Sequence, residues 1–239
     1  MDHKPLLINL KKHKIQCIIY KIIKEQYVPQ NLDEDVIPES DSCIIQPPPE
    51  VLNRTIKKRH ITLIGEINES LALYVNTSLQ FYSDTKDPVY MYICSQGGDV
   101  ICGYSIIDQM ELSPFPIYTI IRGQASSMAA IIAAYGTKGL RYITKNSMVM
   151  VHPFYLSMGP ETISHQNVGL DYMKGDYIEK IKSLSKRTKI GYKKLYKLME
   201  INHWMTPKQA IGIGIIDNMW TKRLEIYANK GTNNCLKEE

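Results

Sequence analysis

Between residues 61 and 152, short apolar runs alternate with segments whose apolar positions recur every three or four residues. Ile61–Ile64, Val89–Cys94, Ile117–Ile121, Arg141–Ile143 and Met148–His152 read as strands. Asn68 opens a helix with its apolar stripe at Leu71, Val75, Leu79 and Tyr82, and another helix runs from about Val100 to Leu112. The apolar run Met128–Tyr135 reads as a third helix, entered through the small residues Gly123–Ser127, which predict a tight turn after Ile121. Strand and helix following one another at such short intervals predict βαβ units and a mostly parallel sheet, an α/β fold.

After His152 the rhythm slows. Leu170, Met173, Tyr177, Ile181 and Leu184 share one face of a long helix, Gly191 breaks it, and Tyr192–Glu200 forms the next. Thr206-Pro207-Lys208-Gln209 carries a threonine cap, a proline in the first turn and a glutamine three residues on, which together mark a helix start. Gly212 and Gly214 are expected to end that helix before a last strand near Ile215–Met219.

The ends of the chain differ from its middle. Met1–Gln26 holds six lysines among isoleucines, with only Asp2 and Glu25 opposing them. It lacks the compact apolar core and small-residue cleavage site of a secretory signal. Basic, acid-poor character suits an organellar transit sequence and equally a poorly ordered extension. Asn31–Ser42 then turns acidic, and Pro47-Pro48-Pro49 cannot lie inside a helix. The expected division is therefore an extension over 1–46, a domain over 47–226 beginning with a short helix at Glu50–Arg59, and a polar tail over 227–239.

Composition narrows the classes. Of 239 residues 44% are hydrophobic and 22% charged, enough for a buried core. No apolar run approaches the roughly 18 residues that span a bilayer, so no membrane segment is expected. The five cysteines are scattered and odd in number, which suits free thiols in a reducing compartment. Net charge is +5, and the lysines between 180 and 197 alternate with an apolar stripe. They read as a solvated face, not a nucleic-acid surface. The histidines show no metal spacing and there is no phosphate loop, so neither a metal nor a bound cofactor is expected.

Serine chemistry needs a nucleophile, a base within hydrogen-bond reach, an orienting group and N–H donors for the developing oxyanion. Ser127 begins a helix, near unpaired N–H groups and the positive end of the helix dipole. His152 ends a strand, where parallel sheets place functional groups. Glycine at 97 and 98 lets backbone approach a substrate, so the Gly98 N–H can serve as one oxyanion donor and the Met128 N–H as the other. Each residue also has a structural reading: a helix-capping serine, a packed histidine, a glycine turn. It is the combination that points to acyl transfer.

These motifs resemble the proteolytic subunit of the Clp (caseinolytic) protease family. Gly123-Gln-Ala-Ser-Ser127-Met-Ala-Ala is similar to its nucleophile motif, Met148-Val-Met-Val-His152-Pro to its histidine motif, and Tyr92-Ile-Cys-Ser-Gln-Gly97-Gly98 to its glycine loop. Trp204–Ala210 with Gly212–Asp217 resembles the segment after the third triad residue. The likeness covers about Glu50 to Arg223. It implies a crotonase-like fold of repeated βαβ units with a protruding handle helix. It also implies homo- or hetero-heptameric rings working with a separate ATP-dependent unfoldase on unfolded polypeptides, and an organelle interior (plastid or mitochondrion) as one setting.

The chain departs from the pattern at informative places. Asn202 stands where the family carries the triad aspartate, and Ile201 replaces the arginine used between rings. Gln96 and Pro153 replace a proline and a glutamine, and the glycine pair expected after the histidine is missing from Phe154–Gly159. Asparagine can orient an imidazole through its amide oxygen, but it carries no charge to stabilise an imidazolium. Asp217 lies in the family's structural Gly-x-x-Asp. Two functions follow: a slow serine peptidase subunit, or an inactive ring member that shapes the chamber and docks the unfoldase. A third, an acyl-CoA enzyme of the crotonase type, would keep the Gly-Gly loop but would not need Ser127 and His152 together.

Overall fold

A computed structural model describes residues 49–154 and 163–230. The expected extension over 1–46 and the far end of the tail lie outside the described residues.

After helix α1 (Pro49–Lys57), strand β1 (His60–Ile67) leads to α2 (Glu69–Phe81), β2 (Val89–Gly98), α3 (Val100–Leu112), β3 (Ile117–Ser126) and α4 (Met128–Ala134). Two short strands follow, β4 (Arg141–Ile143) and β5 (Met148–Val151). The long helix α5 (Ile163–Lys186), α6 (Tyr192–Leu198), β6 (His203–Met205), α7 (Pro207–Ile213), β7 (Asn218–Met219) and α8 (Lys222–Lys230) complete the order. The main sheet runs β1-β2-β3-β4-β7 with every pair parallel, the βαβ pattern expected from the alternation.

Strand β3 forks. Thr119–Ile121 pair with β4, whereas Gln124–Ser126 pair with β5, which in turn carries β6 antiparallel. The fork falls at Gly123, whose φ of +91° an L side chain rarely adopts. The Gly123 N–H is taken up by Ser147 Oγ at 2.8 Å. The expected tight turn over Gly123–Ser127 is thus corrected: Gly123–Ser126 continue the strand and the turn is confined to Ser127. They are small because Ala125 is flanked by Ser95 of β2 and Val149 of β5.

One sheet face carries the main core. Val75 and Leu79 of α2, Ile106 and Ile107 of α3 and the whole of α4 are buried against Leu63, Met91 and Ile121. Burying each such aliphatic side chain contributes about 1.5–3 kcal/mol. Asn68 caps α2 through its side chain to the Leu71 N–H, and Thr206 with Gln209 forms the capping box of α7, both as expected. Gly214, left-handed at φ 79°, ends α7, while Gly212 lies inside it.

The other face presents aromatic rings. His60, Tyr90, Tyr118 and Tyr142 lie on adjacent strands with ring centres 5.3, 4.6 and 6.1 Å apart, and Trp220 closes the row at 5.1 Å. Helix α8 covers this cluster with Leu224 and Ala228, four residues apart, and Ala228 is only 1% exposed. Trp220 Nε1 donates to Glu225 at 2.7 Å, and Arg122, stacked over Tyr92 at 4.0 Å, pairs with the same carboxylate. Residues 227–230, placed in the polar tail by the sequence, are helical here. Their polar composition hides a two-residue apolar contact that forms only against the tyrosines.

In α5, Ile181 and Leu184 are buried and Tyr172 is 74% exposed, so the helix is packed near one end and solvated farther back. Strand β6 had no periodic signal; its three residues are ordered by pairing with β5.

Candidate active site

Ser127 stands between β3 and α4 with φ 56° and ψ −129°, a backbone conformation that costs a non-glycine residue on the order of 1–3 kcal/mol. Its side chain makes no capping hydrogen bond to α4. The helix-cap explanation of this serine therefore fails. The fully buried α4 and the Ser127 N–H, which donates to the Met150 carbonyl of β5 at 2.9 Å, over-determine the strained turn. The hydroxyl is half-buried and makes no hydrogen bond among the described residues. The backbone N–H of Met128, the first residue of α4, follows directly.

The glycine pair does not end in a loop, as expected, but continues β2: Gly97 pairs with Glu66 and Gly98 with Ile67, after a register shift. A Cβ on Gly97 would lie 2.5 Å from Ser127 Cβ and 3.1 Å from its Oγ. A Cβ on Gly98 would lie 2.3 Å from the Ile67 carbonyl oxygen. Both positions thus need glycine for space, quite apart from their φ of +97° and +150°. Ser95 Oγ accepts the Gly97 N–H at 3.0 Å, which commits that amide inward and makes Gly98 the pair's candidate donor. Asp99 anchors the other side: its N–H donates to the Ile67 carbonyl at 2.8 Å and its Oδ1 accepts the Cys102 N–H at 2.7 Å. That hydrogen bond holds its carboxyl below the usual range. Sequence reasoning missed Ser95 and Asp99. A serine two residues before Gly97 and an aspartate three before Cys102 were the signals available.

His152 follows β5 immediately. Ser126 of β3 is paired with Met150, so strand register brings the segment after Ser126 beside the segment after Met150. Its Nδ1 pairs with the main-chain carbonyl of Pro153. Across the hairpin, Val151 is paired with His203, and Asn202 with His152 would be the next rung of the antiparallel ladder. The structure therefore brings residues 127, 152 and 202 to neighbouring strand ends. Yet the Asn202 side chain is exposed and makes no hydrogen bond among the described residues. Ile201 and Trp204 beside it are 66% and 52% exposed.

Asp217 is not available as a substitute. Its Oδ1 accepts from Arg141 Nη2 at 2.6 Å, and its Oδ2 accepts from Arg141 Nε at 2.8 Å and from the Gly139 N–H at 2.7 Å. Burial works against the carboxylate, but the Arg141 pairing outweighs it and holds the carboxyl below its ordinary value. Among the described residues no cluster of histidine, cysteine and carboxylate could hold a metal ion, and no helix is long and apolar enough to cross a membrane.

Comparison with known proteins agrees with this arrangement of elements. The family model described as Clp protease matches residues 48–223. The ATP-dependent Clp protease proteolytic subunit of Ligilactobacillus salivarius is 30% identical over 185 residues, covering 74% of this chain and 90% of that protein. Its counterparts in Streptococcus pyogenes serotypes M5 and M1 are 29% identical over 174 residues, covering 71% of this chain and 88% of theirs. The parallel sheet with its inserted helices is accordingly of the crotonase-like type, and the chain belongs to the Clp protease family.

Proposed function

We propose that this chain is a proteolytic subunit of a ring-shaped, ATP-dependent Clp serine protease that cuts unfolded polypeptide, and that its own turnover is slow. The observation that carries this reading is Ser127: a strained, uncapped serine pressed against Gly97 and tied through its own N–H to the strand that ends at His152. In the proposed reaction Ser127 Oγ attacks the scissile carbonyl and passes its proton to His152 Nε2. The N–H groups of Gly98 and Met128 receive the oxyanion, worth about 3–4 kcal/mol per donor in comparable sites. His152 then protonates the leaving amine, and water releases the acyl group. Turnover is slow because position 202 supplies an exposed amide where a carboxylate would stabilise the imidazolium.

Unfolding requires a separate ATP-driven partner, since the chain carries no phosphate loop. The ring is a homo- or hetero-heptamer, and the lysine-rich residues 1–26 favour an organelle interior. A second reading, an inactive member of a mixed ring that docks the unfoldase, is favoured by the unengaged Asn202 and the exposed Ile201 beside it.

Digestion of an unfolded protein by the purified chain, alone and with a Clp unfoldase and ATP, separates the two readings. Slow cleavage that disappears in Ser127→Ala supports the first. Cleavage seen only when another proteolytic subunit is added, and unaffected by Ser127→Ala, supports the second. Native mass measurement of the same samples reports ring size and composition.

A further inference from the structure

We infer that Ser147 is a positioning residue for the proposed reaction: its hydroxyl locks the strand register that sets His152 beside Ser127. The inference rests on the peptidase reading above. Along one edge, β3 is paired first with β4 and then with β5. Between the two pairings β3 advances from Ile121 to Gln124, while its partner chain advances from Ile143 to Met148, two residues more. A two-residue excess keeps each side chain on its own face and slides β5 along β3 by about 7 Å, at 3.3 Å per residue. At the β3–β4 offset, residue 152 would stand level with position 130, inside α4. At the β3–β5 offset it stands level with Met128, directly after the nucleophile. A general base must come within about 3 Å of the proton it takes, or within one water, so only the second register serves.

The ladder is interrupted between Ile121 and Gln124, where Gly123 takes φ +91°. Ser147 bridges the gap. Its Oγ accepts the Gly123 N–H at 2.8 Å and donates to the Ile121 carbonyl at 3.2 Å. With its one proton so placed, it takes a further hydrogen bond from Thr144 Oγ1 at 2.6 Å. The residue is only 5% exposed, so water does not compete for these contacts. The turn that holds the excess is closed by the Ser147 N–H on the Thr144 carbonyl at 3.1 Å, and the Thr144 N–H donates to the Ile121 carbonyl at 3.0 Å. Farther along, the Ser127 N–H donates to the Met150 carbonyl, which passes this register to the nucleophile itself. β3 also gains two residues on β2 at the same level, between Ile121 and Ala125. Such irregularities re-aim side chains beside active sites.

The test is fluorophosphonate labelling of Ser127 in the full chain, with hydrogen exchange at the Ser127 amide as the structural readout. Ser147→Ala should slow labelling about 10²-fold, the effect of a displacement near 1 Å. Ser147→Thr keeps the hydroxyl and should recover most of the rate. The Ser127 amide should exchange faster in Ser147→Ala while the amides of β1 and β2 keep their protection. In the Ser147→Ala background, His152→Ala should cost little more, because the base is already out of reach. Fully additive losses would mean two independent defects and overturn the inference. Labelling at the wild-type rate in Ser147→Ala, no recovery in Ser147→Thr, or protection lost across the whole sheet also overturns it. A wild type that never labels, together with faster exchange confined to Ser127 and β5 in Ser147→Ala, upholds the register lock and rejects the peptidase reading, so the two fail separately.

Discussion

The two sides of the candidate site are built to different standards. On the β3 side, Ser127 is fixed by a buried helix, a backbone hydrogen bond to β5 and a glycine against which its side chain rests. On the β6 side, Asn202 sits at the edge of the sheet with its amide exposed. The contrast extends to carboxylates. Asp217 is saturated with donors and welds β4 to β7, while position 202, opposite His152, carries an exposed amide. A serine nucleophile can therefore be held in place by packing that does not guarantee a fast enzyme. Placement and charge stabilisation are separate contributions, and the proposed function assigns this chain the first without the second.

The comparison is broken most directly by restoring charge on the open side. Asn202→Asp should raise peptide turnover, by up to about 10⁴, the cost of the reverse exchange in a serine-protease triad. The gain should grow as pH rises through the carboxyl range and the new group ionises. Initial rates on a fluorogenic peptide across pH check both parts, and no gain at any pH would mean position 202 does not reach the imidazole.

On the locked side, Asp217→Asn leaves the Arg141 guanidinium buried without its counter-charge, at a cost of about 3–5 kcal/mol. Pairing lowers the Asp217 pKa on folding, so its contribution is complete above the unfolded carboxyl value of about 3.9 and is lost as pH falls through the lower folded value. Chemical denaturation at several pH values should show wild type losing this increment below about pH 4, while the variant has a shallower acid limb.

Gly97→Ala sharpens the contrast at smaller scale. The added methyl meets Ser127 Cβ and the Ser126 carbonyl at 2.5 and 2.7 Å, so the nucleophile must shift. Turnover should fall by about 10²-fold, the effect of a displacement near 1 Å, with the fold retained by circular dichroism. Asn202→Ala should be the mildest change, within about twofold in rate.

Much of the locked side was legible in the sequence. The Met128–Tyr135 run marked the helix, His152 closed an apolar strand, and Gly97-Gly98 announced a close backbone approach. What escaped were features created by pairing partners distant in the chain. Gly123–Ser126 looked like a turn because small residues usually mark one, yet here they keep β3 thin between β2 and β5. His203–Met205 has no period of its own and becomes a strand only beside β5. Leu224 and Ala228 are too few to signal a packed helix until the tyrosine face is present to receive them. The partner of His152 Nδ1 was likewise invisible, because a backbone carbonyl leaves no residue-type signature.

The central claim is that Ser127 is a nucleophile activated by His152. Intact-mass and peptide mapping after incubation with a fluorophosphonate measures this in one step. A slow, stoichiometric adduct on Ser127, absent from His152→Ala, is the predicted result. An adduct rate unchanged in His152→Ala, or no adduct on Ser127 in the assembled ring, would contradict it.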